Sequence, residues 1–375
     1  MIAWGVLTIF YSDKDFIKNL NLLFVATFLL IVLAEATLHA FPRILGDGFA
    51  NGVLTKYHHY AGGIYYRDPV LQMDFMYPNY TTGMYYNGYT WTHQTDGFGF
   101  RNAETRKTAA IILLGDSFIY GHGVNIDQTV GHFLEKLTHR SVVNLARQGD
   151  DSHIQAFLLT EYIGKFNPRH VLYFFYENDV QDLYAHLTDD EITQFINTPV
   201  TQIGYNSRID VDSAIRMTQE QYEREIRAGS LYRFLRPKIY LLRIVDWIRF
   251  IRSEMKMGRR SQDATHNVND EKSLGWRYTK HAIKYMNYLS KTHGAHFIIV
   301  PITPDTERYQ AILEKFAREE NIGFLDTRAI NRTDSSLWLP VDGHFSEKGA
   351  QTVARLVAEK LNNIDPQTAG VSKLP

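Results

Sequence analysis

The sequence predicts an α/β fold: a three-layer α/β/α sandwich with a largely parallel central sheet, preceded by an N-terminal transmembrane helix. Three observations carry this reading. Short, wholly apolar runs recur from Thr108 onward, and stretches of helical period separate them. One further apolar run near the N-terminus has about the length that crosses a bilayer.

That run is Leu20–Ala40, LNLLFVATFLLIVLAEATLHA. Its one acid, Glu35, lies toward the C-terminal end, where the membrane interface can hydrate it. Lys14 and Lys18 precede it, diluted by Asp13 and Asp15, and favour a cytoplasmic N-terminus with an exported remainder. Ala34-Glu35-Ala36 and Leu38-His39-Ala40 offer small residues for signal cleavage, but the long stretch before the run argues for a retained anchor. The expected organisation is a cytoplasmic segment over 1–19, a signal anchor over 20–40 and a strand- and turn-rich region over 42–105 packed on the core. A main domain over 106–365 and a tail over 366–375 follow.

In residues 42–105 the Gly, Tyr, Asn and Thr content predicts short strands and turns, for example Gly63–Arg67 and Tyr89–His93. The tyrosines there suit strands with one packed face, or stacking on sugar rings. Buried parallel strands are predicted at Ala109–Leu114, Ser141–Leu145, His170–Tyr176, His296–Pro301 and Gly323–Asp326. Helices are predicted at Gln128–Thr138, Ile154–Tyr162, Trp276–Thr292, Asp305–Glu320 and Glu347–Leu361. Residues from about 181 to 273 break this rhythm as a helical insertion. Within it, Leu231–Met257 carries Arg236, Arg243, Arg249 and Lys256 among apolar residues, and Pro237 starts or kinks the helix. Such a stretch lies on an anionic membrane surface or, more simply, packs one face on the protein.

The 375 residues hold 40 basic and 41 acidic side chains, a formal net charge of -1 that argues against nucleic acid as a partner. There is no cysteine, so disulfides, thiolate metal sites and thiol nucleophiles are excluded together. No cofactor is expected.

The chemistry concentrates in two segments. Ile111–Leu114 runs into Gly115-Asp116-Ser117, which puts a hydroxyl at the carboxyl end of a buried strand, where open α/β sheets bind ligands. A serine hydroxyl needs a base within reach and a group to orient that base. Near the C-terminus, Asp342-Gly343-His344 precedes Ser346, a fitting N-cap for the last helix. An aspartate two residues from a histidine on a turn accepts from Nδ1–H and leaves the other ring nitrogen free as base.

Together the segments resemble the first and last blocks of the SGNH, or GDSL-type, serine hydrolases. The resemblance spans roughly residues 108–362 outside the insertion and implies a flavodoxin-like sandwich with a Ser117, Asp342, His344 triad. Val143–Gly149 resembles the family's glycine block, which implies Gly149 as a backbone N–H donor. Tyr173–Asp179 resembles its Gly-x-Asn-Asp block, which implies Asn178 as a side-chain donor beside the Ser117 N–H in the oxyanion hole. Tyr176 stands where the family has glycine, which bears on loop shape and pocket size. Thr95–Asn102 resembles a segment that often precedes Gly-Asp-Ser in bacterial envelope members.

Asp116, adjacent to the nucleophile, is read as shaping the loop. His58-His59 and His122 are not read as metal ligands, because no partner sits at ligand spacing. Gly121-His122-Gly123 is no phosphate loop, since no Gly-Lys-Ser/Thr follows. Asn79-Tyr80-Thr81 and Asn331-Arg332-Thr333 fit glycosylation sequons of a frequency expected by chance. The expected function is ester hydrolysis through an acyl-enzyme, on a carbohydrate or lipid ester and with O-acetyl as the expected group. O-acyl transfer to an envelope polysaccharide is the alternative, and a non-catalytic carbohydrate-binding or assembly protein is the alternative of another class. The expected location is the inner membrane, single-pass, with the catalytic domain on the periplasmic side.

Overall fold

The computed structural model describes residues 15–55, 63–69, 71, 73–185, 187–205, 210–227, 238–261, 270–302, 307–330, 333–340 and 342–365. Residues 1–14, His58-His59, the start of the basic stretch through Pro237, Asp305, Asn331-Arg332 and the tail 366–375 lie outside the described residues.

In chain order the first elements are α1 (Asp15–Ala40), α2 (Asp47–Leu54), β1 (Tyr65–Arg67), β2 (Asp74–Met76), β3 (Thr81–Tyr86) and β4 (Tyr89–Gln94). Then come β5 (Ile111–Leu114), α3 (Ser117–Tyr120), α4 (Val130–Thr138), β6 (Val142–Asn144), α5 (Ser152–Phe166) and β7 (His170–Phe175). The remainder is α6 (Asp189–Asn197), α7 (Val211–Arg227), α8 (Tyr240–Ser261), α9 (Leu274–Thr292), β8 (His296–Pro301), α10 (Glu307–Glu319), β9 (Gly323–Phe324) and α11 (Glu347–Ile364).

The chain forms two compact units, one of residues 1–56, 85–88 and 221–258, the other of 57–84, 89–220 and 259–375. In the first, α1 has 26 residues, about 39 Å at 1.5 Å per residue, and is long and apolar enough to cross a membrane by length and composition. Leu22, Leu23, Leu29, Leu30 and Leu33 are exposed. Glu35 has a protein partner in place of interfacial water. Its Oε1 accepts from Tyr240 N at 2.7 Å and its Oε2 from Leu241 N at 2.9 Å, so the acid caps the α8 N-terminus. His39 stacks on Tyr240 at 3.8 Å, and Phe49 of α2 meets Tyr240 and Trp247 edge-on. The described basic stretch is a helix whose first turns pack on α1 and α2 through Tyr240 and Trp247.

The second unit is built on a five-stranded sheet of order β6-β5-β7-β8-β9 in which every neighbouring pair is parallel. Its strands coincide with the five apolar runs. The four strands β5 to β8 are buried on both faces, the edge strand β9 only partly, and alternate residues feed different cores. Ile112, Leu114, Val171, Tyr173, Phe175, Phe297 and Ile299 pack with α5, α9 and α10. Ile111, Leu113, Leu172, Phe174, Ile298 and Val300 pack with α4 and α11. These are the three expected layers. Tyr66, Tyr77 and Tyr80 are buried in the first of these cores, so those tyrosines are strand and turn residues with a packed face. The β3–β4 hairpin turns on Asn87 and Gly88, with φ of 46° and 100°.

Two local departures bear on the site. The helix expected from Gln128 begins at Val130, with Thr129 as its cap, after a 3-10 turn at Ile126–Gln128. A single helical turn, α3, starts at Ser117 itself.

Candidate active site

The chain leaves β5 for β6 on one side and later returns to β7 on the other, so the carboxyl end of β5 is the switch point of the sheet. Gly115 makes the exit possible. A Cβ there would stand 2.8 Å from Ile119 Cγ1 and 3.2 Å from Phe174 Cβ. Asp116 is the N-cap of α3, with Oδ1 accepting from Phe118 N at 3.0 Å, and burial pushes its carboxyl up to about 7. It shapes the loop and places Ser117 at the first helical position.

The base arrives from the far end of the sequence. Ser346 caps α11 through Gly349 N, and Leu339 N donates to the His344 carbonyl at 2.7 Å. Asp342 Oδ1 accepts from His344 N at 3.0 Å, which fixes the turn between them. His344 Nε2 then lies 2.8 Å from Ser117 Oγ, and its Nδ1 lies 3.4 Å from Asp342 Oδ1. The second distance is that of an ion pair; catalytic hydrogen bonds are often long before substrate binds. Burial alone would raise the Asp342 carboxyl, but the neighbouring His122 and His344 imidazoles and the His344 backbone N–H outweigh it and hold the group below the usual carboxylate range. Phe118 lies 4.7 Å from the His344 ring and Tyr176 lies 4.7 Å from Phe118, so Tyr176 walls the site. Tyr176 has an extended backbone, φ -122° and ψ 157°, which needs no glycine.

The two further candidate donors stand differently. Gly149 has φ +77°, in the left-handed region, and faces a cavity of about 420 Å³ shared with Tyr65, Arg67, Arg147 and Gln148. Asn178 Nδ2 donates to Asp182 Oδ2 at 2.9 Å, which leaves one amide N–H uncommitted. Among the described residues no hydrogen bond ties Gly149 or Asn178 to Ser117. Asp179, fully buried, accepts from the Tyr173 hydroxyl at 2.8 Å and anchors the turn that carries Asn178.

Three contributors were given no place in the site by the sequence: Gln148, Arg101 and His122, which was set aside as a metal ligand for want of a partner at ligand spacing. His122 Nε2 lies 3.4 Å from Asp342 Oδ2, the other oxygen of the acid, and the His122 ring lies 4.5 Å from that of His344. Gln148 Nε2 lies 2.9 Å from His122 Nδ1. Arg101, buried, donates to the carbonyls of Tyr120, Gly121, Val124 and Thr92 and clasps the loop after the nucleophile. Its neighbour Asn102 donates to the Asn144 carbonyl and to Asp96, so Thr95–Asn102 is a scaffold under the strand ends. The Gly-His-Gly segment was the available signal for His122; the partner that gives it meaning is 220 residues away in sequence. His122, Asp342 and His344 offer ligand atoms within 4.8 Å of one another, a set of types that zinc accepts, although His344 Nε2 is engaged with Ser117.

No protein-family model matches the chain, and no curated protein matches it. Among solved structures it is similar to TesA, with 11% identity and a TM-score of 0.36 over 68% of this chain and 98% of that one. It is also similar to the psychrotrophic esterase EstA from Pseudoalteromonas sp., with 11% identity and a TM-score of 0.36 over 69% and 98%. A catalytic mutant of Axe2, an acetylxylan esterase from Geobacillus stearothermophilus, has 14% identity and a TM-score of 0.36 over 68% and 96%.

Proposed function

We propose that the chain is a serine ester hydrolase of the SGNH type, with Ser117 as nucleophile, His344 as general base and acid, and Asp342 as the group that orients the base. The observation that carries this is the file of atoms from Ser117 Oγ to His344 Nε2 at 2.8 Å and from His344 Nδ1 to Asp342 Oδ1 at 3.4 Å. With its proton on Nδ1, facing the carboxylate, His344 presents a bare Nε2 to the hydroxyl.

Ser117 Oγ attacks an ester carbonyl as its proton passes to His344 Nε2. The carbonyl oxygen becomes an oxyanion held by the N–H groups of Ser117 and Gly149 and the free amide N–H of Asn178, each donor contributing on the order of 10²-fold in rate. Collapse expels the alcohol, which takes the proton from His344 and leaves an acyl-Ser117. Water, deprotonated by His344, then releases the acid. Deacylation by a sugar hydroxyl in place of water would make the same site an O-acyltransferase. A carbohydrate or lipid ester, O-acetyl first, suits a catalytic unit tethered by α1 to the inner membrane and facing the periplasm.

The test uses the detergent-solubilised full chain with a fluorophosphonate probe and with p-nitrophenyl acetate. Wild type should label and release acetate, and Ser117→Ala should do neither. Equal labelling of the two proteins removes Ser117 as nucleophile. Acetate release measured with and without a glycan acceptor separates hydrolysis from transfer.

A further inference from the structure

Asp342 has two carboxylate oxygens, and a Ser-His-Asp relay uses one. The other faces His122, from the loop after α3, at 3.4 Å. His122 and Asp342 have side chains only 11% and 7% exposed, so water is a poor substitute for either partner. Asp342 and Gln148 together set which way the His122 proton points. Gln148 Nε2 lies 2.9 Å from His122 Nδ1, and Gln148 Oε1 accepts from the Tyr65 hydroxyl at 3.4 Å. In this orientation the NH₂ group donates, so Nδ1 accepts and the ring hydrogen sits on Nε2, the nitrogen 3.4 Å from Asp342 Oδ2. The flipped amide would put that hydrogen on Nδ1 and leave a bare Nε2 against a carboxylate, two acceptors face to face.

We propose that His122 is a positioning residue that acts through Asp342. One imidazole N–H engages each carboxylate oxygen, His122 on Oδ2 and His344 on Oδ1, and the carboxylate is thereby held in the plane and rotation that presents Oδ1 to the base. The line runs from Tyr65 through Gln148 and His122 to Asp342, and so ties the loop that carries Gly149 to the triad acid. Gln148 and Gly149 are adjacent, so a shift of the acid would be felt where the oxyanion donor sits. This inference rests on the serine hydrolase reading for its kinetic meaning, but its geometry stands without it. Trp91, whose ring lies 4.8 Å from that of His122, offers the plainer role of packing, and the test separates the two.

His122→Phe keeps a ring against Trp91 and removes the N–H; His122→Asn loses the ring and keeps a donor for Asp342. On full-length protein with p-nitrophenyl acetate, His122→Phe should lower kcat about 10- to 100-fold, the scale of a misplaced catalytic group, with KM nearly unchanged. His122→Asn should recover most of that loss. Nitrogen-15 imidazole spectra should show the His122 hydrogen on Nε2, and in His122→Phe the His344 Nδ1–H resonance should broaden or shift. Equal kcat for wild type and His122→Phe, equal loss in both variants, or a His122 hydrogen on Nδ1 would each overturn the proposal. If wild type itself neither turns over ester nor labels, the hydrolase reading fails, and the imidazole spectra alone then decide whether His122 holds Asp342.

Discussion

A histidine between a hydroxyl and a carboxylate is a useful base in one tautomer only, so the acid that selects the tautomer matters as much as the base. Asp342 is suited to that work because it stays ionised. It is largely buried, yet the His122 and His344 imidazoles beside it and the His344 backbone N–H hold its carboxyl low. Asp342→Asn keeps the shape of the side chain and presents an amide that can favour the wrong tautomer of His344. We expect kcat to fall about 10³- to 10⁴-fold with KM within a few-fold and the circular dichroism spectrum unchanged. A loss under tenfold, measured with p-nitrophenyl acetate, would take Asp342 out of the relay. Asp116 illustrates the opposite environment. It too is an aspartate beside the nucleophile, but burial drives its carboxyl up to about 7 and its oxygen caps α3, so it serves the backbone and not the base.

Among the elements, the helices that follow β5 and β6 both start on buried aspartates. Asp151 caps α5 by accepting from His153 N at 2.8 Å and Ile154 N at 3.1 Å, and burial pushes its carboxyl up to about 7. A carboxyl raised on folding favours the folded state at pH values where both states are protonated. That advantage is lost as pH rises from the unfolded value, near 4, through the folded one, near 7. Buried histidines pull the other way below their ordinary value: desolvation lowers His93 to about 3 and His170 to about 4. The isolating measurement is thus a difference. Asp151→Asn keeps an acceptor at the cap and removes the titration, so its Tm relative to wild type should rise steadily between pH 4 and about 7 and level off above. A pH-independent gap would mean that Asp151 does not carry this shift. At this scale the sequence was most readable. Continuous apolar runs marked every strand of the main sheet, because strands buried on both faces show no polar alternation. The one-turn α3 escaped notice because four residues carry no period.

For the whole molecule, α1 is the feature with consequences for handling and location. Twenty-six residues with a mean hydropathy of 2.2 in their most apolar window should keep the full chain with membranes through carbonate washing and require detergent for release. With Lys14 and Lys18 ahead of the span, protease added to spheroplasts should digest the catalytic unit. Release by carbonate, or protection from that protease, would overturn the anchor or its orientation respectively. Glu35 belongs to this scale as well. In sequence it is a blemish in an apolar run; in the fold it caps α8, two hundred residues on.

The sequence by itself determined the sandwich, because burial on both faces imposes a local pattern of apolar residues that survives without neighbours. It also singled out Ser117 and the Asp342–His344 pair as candidates, because each sits beside a strand end or a helix cap that its own neighbours announce. Only the tertiary structure brought His344 within 2.8 Å of Ser117 across 227 residues and set His122 against the second oxygen of Asp342. It alone put Asp182 on the Asn178 amide and gave Tyr176 a place against Phe118. Those partners lie on different elements, and their pairing depends on how loops from separate strand ends converge over the sheet, which no local spacing encodes.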